Sequence, residues 1–492
     1  MIEELYGPSL ALHTDLYQLT MAAAAHRAGV HEREAVFQHF FRKAPFAGGF
    51  TVAAGLGTLL EFMRVFRFGA DDIEYLATLQ APAGGPLFAR DFLAWLGDFE
   101  FRCDVDAVPE GTVVFAQEPL LRVQGPIVAC MLLETPLLNL LNFQTLIATK
   151  AARVALAARG DPVLEFGLRR AQGIDGGLLA SRAAYVGGAA ATSNVLAGKL
   201  FGIPVRGTHA HSWVMLYDDE RTAFAEYARA MPGNCVFLVD TYDSLEGVRH
   251  AIEAGRELRK AGHELLGVRF DSGDLAWLSE QGRRMLDEAG FPGAIILASN
   301  DLDEHLIESL KAQGAKVASW GVGTRLVTGG DEAALAGVFK LGAVRTAAGW
   351  QRRLKLSEQT AKITTPGVLQ VRRFLVDGQL AGDCIFDLSL GCASRTLVDV
   401  VDPTRRKTLP EGTPFEDLLV PVLRKGAPVA AAEPLDDSRA RTLQQLARVP
   451  VAARRFVNPH AVPVGLEPSL HDERTRLILE ARHAQQGREA RP

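Results

Sequence analysis

Between about residues 235 and 325, short apolar runs alternate with amphipathic stretches in a regular order. "CVFLVD" (235–240) is an apolar run that stops at an aspartate. "SLEGVRHAIEAGRELRKAG" (244–262) then has helical periodicity, with Asp243 and Glu246 as a capping-box-like pair and Gly262 as C-cap. "LLGVRFD" (265–271) repeats the first pattern and "DLAWLSEQGRRMLDEAG" (274–290) the second. "AIILAS" (294–299) is a third strand, after which Asn300 is expected to cap a helix with Leu302, Leu306, Ile307 and Leu310 on one face. "KVASWGVG" (316–323) closes the series. Strands without polar alternation, separated by helices, predict a parallel sheet covered on both faces, either a barrel or a doubly wound sheet.

The flanks read differently. Residues 1–125 mix helix-like stretches with Gly/Pro-rich turns, and "EGTVVFAQEPLLRVQG" (110–125) alternates like antiparallel strands. Residues 340–430 return to this style, with "VLQVRRFLVDGQL" (368–380) reading as a hairpin. Beyond the Ala/Pro-rich stretch at 427–434 the chain reads as helical and rich in Arg and Glu. The predicted organisation has four parts: 1–125, the N-terminal part of an α+β domain; 126–345, the α/β unit; 346–430, the C-terminal part of the α+β domain; and 431–492, a helical extension.

Composition narrows the class without naming a function. The 492 residues are 48% hydrophobic and 23% charged, with a net charge of −5 and no basic tract, so nucleic acid is not an expected partner. Cys103, Cys130, Cys235, Cys384 and Cys392 are scattered and never form a CxxC pair, which suggests free thiols in a reducing, cytoplasmic setting. The apolar stretch 130–143 is short and interrupted by Glu134, so no membrane span is expected.

Parallel α/β folds carry their chemistry at the carboxyl ends of strands. Here those ends offer Asp240, Arg269 with Asp271, Ser299-Asn300, and the glycine loop Gly321–Thr324. Carboxylates for ribose hydroxyls or a divalent cation, and glycine-loop N–H groups for phosphate, suit a phosphorylated sugar. "EFGLRRAQGIDGG" (165–177) adds Arg169 and Arg170 beside Phe166, and from Gly176 to Tyr217 there is no Asp or Glu. A pocket lined by that segment favours an anion. No Walker loop occurs.

"GTHAHSWV" (207–214) presents two histidines with three readings: a metal clip, a nucleophile or proton shuttle, or two core imidazoles. A clip lacks further histidines at the other strand ends, and no metal-ligand set is assigned.

Taken in order, "TDLYQLTMA" (14–22), "FGLRRAQGIDGG", "SNVLAGKLFGIPVRGTHAHSWV", "LVDTYDS", "GVRFDSGDL", "ASNDLDE", "GVGTRLVT" and "VFKLGAV…RRLKLSEQTAKITTPG" resemble the nicotinate phosphoribosyltransferase family, from about residue 12 to 375. The resemblance implies an irregular TIM-like α/β barrel with an open-faced α+β sandwich built from N- and C-terminal segments. It implies a homodimer with shared active sites, and nicotinate, PRPP and ATP as substrates with Mg²⁺. The products would be nicotinate mononucleotide and diphosphate, formed through a phosphohistidine, in NAD salvage. The family's phosphorylated histidine falls on His211, and Asp240 is the candidate to orient its ring. Asp271 would contact ribose or metal; Gly321, Gly323, Thr324 and Thr328 would hold the 5′-phosphate. Arg169, Thr208 and Arg269 would approach nicotinate, Phe166 would face its ring, and Tyr17 would stack on it from the other subunit. Nicotinamide-using relatives carry an aspartate in a "GTDTVAG"-like stretch where this chain has "TSNVLAG", so Asn194 is expected in the pocket and Asn194→Asp to favour nicotinamide. The alternatives are a nicotinamide phosphoribosyltransferase and a non-catalytic phosphosugar-binding protein.

Overall fold

The computed structural model describes residues 10–359 and 362–489. The fold is mixed α/β and divides into two compact units: 1–146 together with 334–492, and 147–333.

In the first unit a seven-stranded sheet draws on both ends of the chain. Its order is Gly349–Arg352, Gly337–Thr346, Glu34–Phe41, Leu121–Pro126, Asp104–Ala107, Val420–Arg424, Ala427–Pro428. Glu34–Phe41 is central because its burial runs almost unbroken; it pairs antiparallel with Gly337–Thr346 on one side and Leu121–Pro126 on the other. The expected hairpin forms as Leu369–Val376 against Gln379–Asp387, with Val376 opposite Gln379 across the turn. A second, six-stranded sheet grows around it and takes in Val464–Leu466, so the stretch read as helical also supplies a strand between helices Leu435–Arg448 and Pro468–Glu489. Phe41, Val114, Leu369, Val371, Ile385 and Leu466 meet in one core of this unit, which joins the two sheets through side chains that alternate inward.

The apolar stretch at 130–143 is part of a longer element than the sequence suggested. Helix Ile127–Ala158 has 32 residues and by length and composition is apolar enough to cross a membrane; 56% of its most apolar window is buried inside the protein, as in the core helix of a globular domain.

The second unit holds a six-stranded parallel sheet ordered Ala191–Thr192, Val163–Glu165, Ser319–Val322, Ile295–Ala298, Gly267–Phe270, Val236–Leu238. The last four in that order are the strands read from the sequence, and Ser244–Lys260 and Leu275–Glu288 lie between them as helices. Asp243 accepts from the N–H groups of Leu245 and Glu246, as the capping signal required. The third helix is corrected: it runs Glu304–Ala312 and is capped by Asp303, not Asn300. Asn300 instead turns the chain at the strand end with φ +112°, its carbonyl accepting from Leu302 N–H at 2.7 Å. Such a backbone is costly for a residue with a Cβ and is typical of functional strand ends.

Beyond Thr192 the next stretch bridges parallel at Val205, and Arg206 N–H donates to the Thr192 carbonyl. Three residues after that, His209 Nε2 accepts from Leu238 N–H at 3.3 Å on the other outer strand. An imidazole thus occupies a place where a neighbouring strand would supply a carbonyl.

Candidate active site

The two histidines of 207–214 have different surroundings. His209 is 8% exposed and its ring sits among Phe224, Tyr227 and Phe237, the Tyr227 centroid 4.9 Å away. Burial pushes its pKa down to about 4. Because Nε2 accepts from Leu238, the proton rests on Nδ1, which faces the Ala210 carbonyl at 3.5 Å. His209 is a core imidazole.

His211 opens the short helix His211–Val214 and its side chain is 40% exposed. Nδ1 lies 3.1 Å from the Thr241 hydroxyl. Nε2 faces two carboxylates, Asp240 Oδ1 and Asp271 Oδ2, each at 3.9 Å. The sequence reading had Asp240 hold the ring; at this distance Asp240 acts by charge, and the hydrogen bond to the ring comes from Thr241, which the sequence reading missed. Thr241 thus orients the ring through Nδ1, with the two acids on the Nε2 side.

The acids are held by strand-end geometry. Asp240 Oδ2 accepts from Asp271 N–H at 2.8 Å and from the Ser272 hydroxyl at 2.6 Å, which ties the ends of two adjacent strands together. Its Oδ1 is buried and has no hydrogen-bond partner. Asp271 Oδ1 accepts from Ser299 at 2.5 Å, linking a third strand end. The two histidines do not face a common point: His209 is turned into the aromatic core and His211 toward the strand-end acids.

A cavity of about 150 Å³ lies between Phe166, Arg169, Arg170, Arg269 and Asp271 on one side and Asn300, Gly321, Gly323 and Thr324 on the other. Gly321 is required there: a Cβ would stand 2.7 Å from the Phe166 ring. Burial holds the Arg269 guanidinium below its ordinary pKa against the opposing pull of Asp271 and Asp240, and its buried Nε has no hydrogen-bond partner, so with Arg169 and Arg170 alongside it an anion in this cavity is favoured. A larger cavity of about 1690 Å³ also touches Phe166, Arg169, Thr208 and Arg269, together with Ser193 and Val195.

Five expected residues do not line either cavity: His211 and Asp240, described above, and Asn194, Thr328 and Tyr17. Asn194 is 2% exposed and caps helix Val195–Phe201: Oδ1 accepts from Ala197 N–H, while Nδ2 donates to Ser181 Oγ and the Gly177 carbonyl. Its side chain is spent on the fold, so its place in the pocket is corrected to one behind it. Thr328 ends the short helix Thr324–Val327, and its hydroxyl donates to the Thr324 carbonyl at 2.7 Å. Tyr17 belongs to the first unit, half-exposed on helix Leu16–Arg27.

Comparison with known proteins follows the same lines. A model of the nicotinate phosphoribosyltransferase N-terminal domain matches residues 12–142, and one of the C-terminal domain matches 378–474. The chain is 48% identical over 368 residues to a nicotinate phosphoribosyltransferase of Bacillus subtilis (strain 168), covering 75% of this chain and 74% of the relative. It is 39% identical to nicotinate phosphoribosyltransferase pncB2 of Mycobacterium tuberculosis (strain H37Rv), covering 96% and 94%. A crystal structure of human nicotinic acid phosphoribosyltransferase superposes with a TM-score of 0.83 at 32% identity, covering 94% of this chain and 99% of that one. The similarity therefore continues past residue 375, where the sequence motifs end.

Proposed function

The chain belongs to the nicotinate phosphoribosyltransferase family, and on that premise we propose that His211 carries a phosphoryl group from ATP while the neighbouring strand ends hold the sugar diphosphate. The reaction is phosphoribosyl transfer from PRPP to nicotinate, a step of NAD salvage: the pyridine nitrogen bonds to C1′ as the C1′–O bond to diphosphate breaks. Positive charge develops on the ribose ring and negative charge on the leaving diphosphate, so catalysis rests on positioning and on cations placed beforehand. Arg169 and Arg269 supply that charge, and the turn Gly321–Thr324 offers N–H groups to the 5′-phosphate.

The observation that carries the ATP step is the ring of His211 set between Thr241 and the two acids. A ring nitrogen of His211 attacks the γ-phosphorus, the bond to ADP breaks, and water later takes the phosphoryl group as phosphate. The carboxylates balance the positive charge of the phosphorylated imidazole. The bare Oδ1 of Asp240 and the nearby Oδ2 of Asp271 suit Mg²⁺, which keeps most of its shell from water and substrate phosphates and, when bound, neutralises diphosphate charge. The parallel sheet would close as an irregular barrel through residues 205–209, a reading supported by the Val205 bridge and the His209–Leu238 bond. Tyr17 would reach the pyridine ring of a second copy in a homodimer; its half-exposed phenol supports this. The five cysteines are all free, in keeping with a cytoplasmic protein.

The test is phosphoenzyme formation with γ-labelled ATP. Wild type should form an acid-labile, base-stable adduct. His211→Ala should form none and lose ATP stimulation, yet still bind PRPP. Full ATP coupling in His211→Ala would defeat the assignment.

A further inference from the structure

Directly behind the loop that carries Phe166 and Arg169 lies a buried carboxylate to which the mechanism above assigns no part. Glu165 ends strand Val163–Glu165 and is 0% exposed. One oxygen accepts from Gly167 N–H; the other accepts from Ser181 Oγ at 2.8 Å and Thr192 Oγ1 at 2.5 Å. Its own carbonyl accepts from Ser193 N–H at 2.9 Å. The cluster continues inward: Thr192 Oγ1 also accepts from Asn194 N–H, and Asn194 Nδ2 donates to Ser181 Oγ. Ser181, Thr192 and Asn194 are all at most 2% exposed. Among the described residues no Lys or Arg pairs with Glu165.

A buried carboxylate without a cation is expensive, and capping one N–H could be done at lower cost by a hydroxyl or an amide. The arrangement makes sense through what Glu165 fixes. Phe166 N–H still pairs with the Val322 carbonyl as part of the sheet, and at Gly167 the chain turns away. There it packs so closely on the phosphate-side turn that a Cβ would stand 2.3 Å from Val327 Cγ1 and 3.0 Å from the Gly323 carbonyl. Glu165 grips the N–H at this turn. On one side it anchors the loop bearing Phe166 and Arg169; on the other, through Thr192 and Ser193, it anchors the segment whose Ser193 and Val195 line the larger cavity. Two walls of the same pocket are thus referred to one carboxylate.

We propose that Glu165 is a positioning residue for nicotinate: it sets the Phe166–Arg169 loop and the Ser193–Val195 segment at the spacing the pyridine acid needs. This rests on the reading that Phe166 and Arg169 face nicotinate. Glu165 touches no substrate itself.

The experiment measures initial rates against nicotinate and against PRPP, with thermal stability alongside, for Glu165→Gln, Glu165→Ala and Thr192→Val. Glu165→Gln keeps an acceptor for Gly167, and the two hydroxyls can turn to accept from its amide, so both KM values should stay within about threefold of wild type. Glu165→Ala frees the turn, and the nicotinate KM should rise about tenfold or more while the PRPP KM moves less than about threefold. Should Glu165→Ala not fold, Thr192→Val carries the test, with a nicotinate KM raised about threefold at nearly unchanged PRPP KM. A soluble Glu165→Ala or Thr192→Val that loses stability with nicotinate KM unchanged, or whose two KM values rise together, would overturn the proposal. Arg169→Ala tests the underlying site reading separately: a selective rise in nicotinate KM supports it, and an unchanged value overturns it whatever Glu165 does.

Discussion

Protonating His209 should cost the fold stability in mild acid, and a single substitution should remove that cost. In the folded protein the ring is buried among aromatics with a pKa of about 4, against an ordinary 6.5, and its Nε2 accepts from Leu238 N–H. The folded pKa is the lower of the two, so between pH 6.5 and 4 the unfolded chain binds more protons. Stability is therefore full above pH 6.5 and drains away as pH falls toward 4. With those two values the His209 share of the loss between pH 7.5 and pH 5 is about 2 kcal/mol. Glu, Asp and other His groups add to the total slope, so the informative quantity is a difference between variants. His209→Gln can place an amide oxygen near the position of Nε2 and keeps an acceptor for Leu238, but does not titrate in this range. Urea unfolding followed by tryptophan fluorescence at both pH values should give His209→Gln a loss smaller than wild type by about 2 kcal/mol. His209→Leu also lacks the titration, but leaves Leu238 N–H without a partner, so it should be about 1–3 kcal/mol less stable already at pH 7.5. Equal acid losses in wild type and His209→Gln would refute the reasoning, because they would mean that the His209 proton is not linked to folding.

Thr241→Val removes the hydroxyl at His211 Nδ1 and should lower the rate of phosphoenzyme formation about tenfold, with Thr241→Ser restoring it; an unchanged rate in single-turnover labelling would exclude Thr241 from holding the ring. Asn194→Asp replaces the donor to Ser181 and Gly177 with a second carboxylate beside the Glu165 cluster, so it should lower stability by about 1–3 kcal/mol. Its nicotinate-to-nicotinamide ratio of kcat/KM should not change, contrary to the expectation from the motif alone; a shift toward nicotinamide would restore Asn194 to the pocket. Thr328→Val should leave the KM for PRPP within about twofold, since that hydroxyl is already bonded within its own helix end; a tenfold rise would show that it reaches the phosphate.

Local signals carried a large part of this protein. Apolar runs, two of them ending in aspartate, marked four adjacent parallel strands and their polar ends, because a buried strand and an amphipathic helix each leave a periodic trace in their own residues. The motif order from residue 12 to 375 also brought out the family, as a set of chemically constrained residues does. What the chain could not announce locally was decided by tertiary contacts. Val163–Glu165 and Ala191–Thr192 are too short to show a period; the first becomes a strand only because Ser319–Val322 offers an edge about 150 residues away, and the second pairs on the first. The two histidines of one octapeptide are alike in sequence; burial among Phe224, Tyr227 and Phe237 makes one a neutral acceptor, and two strand-end carboxylates make the other a charge-supported ring. Asn194 is drawn out of the expected pocket into the cluster around Glu165 for the same reason. Which polar side chain faces a cavity and which is used up behind it depends on hydrogen-bond partners distant in sequence, and those exist only once the sheet has formed.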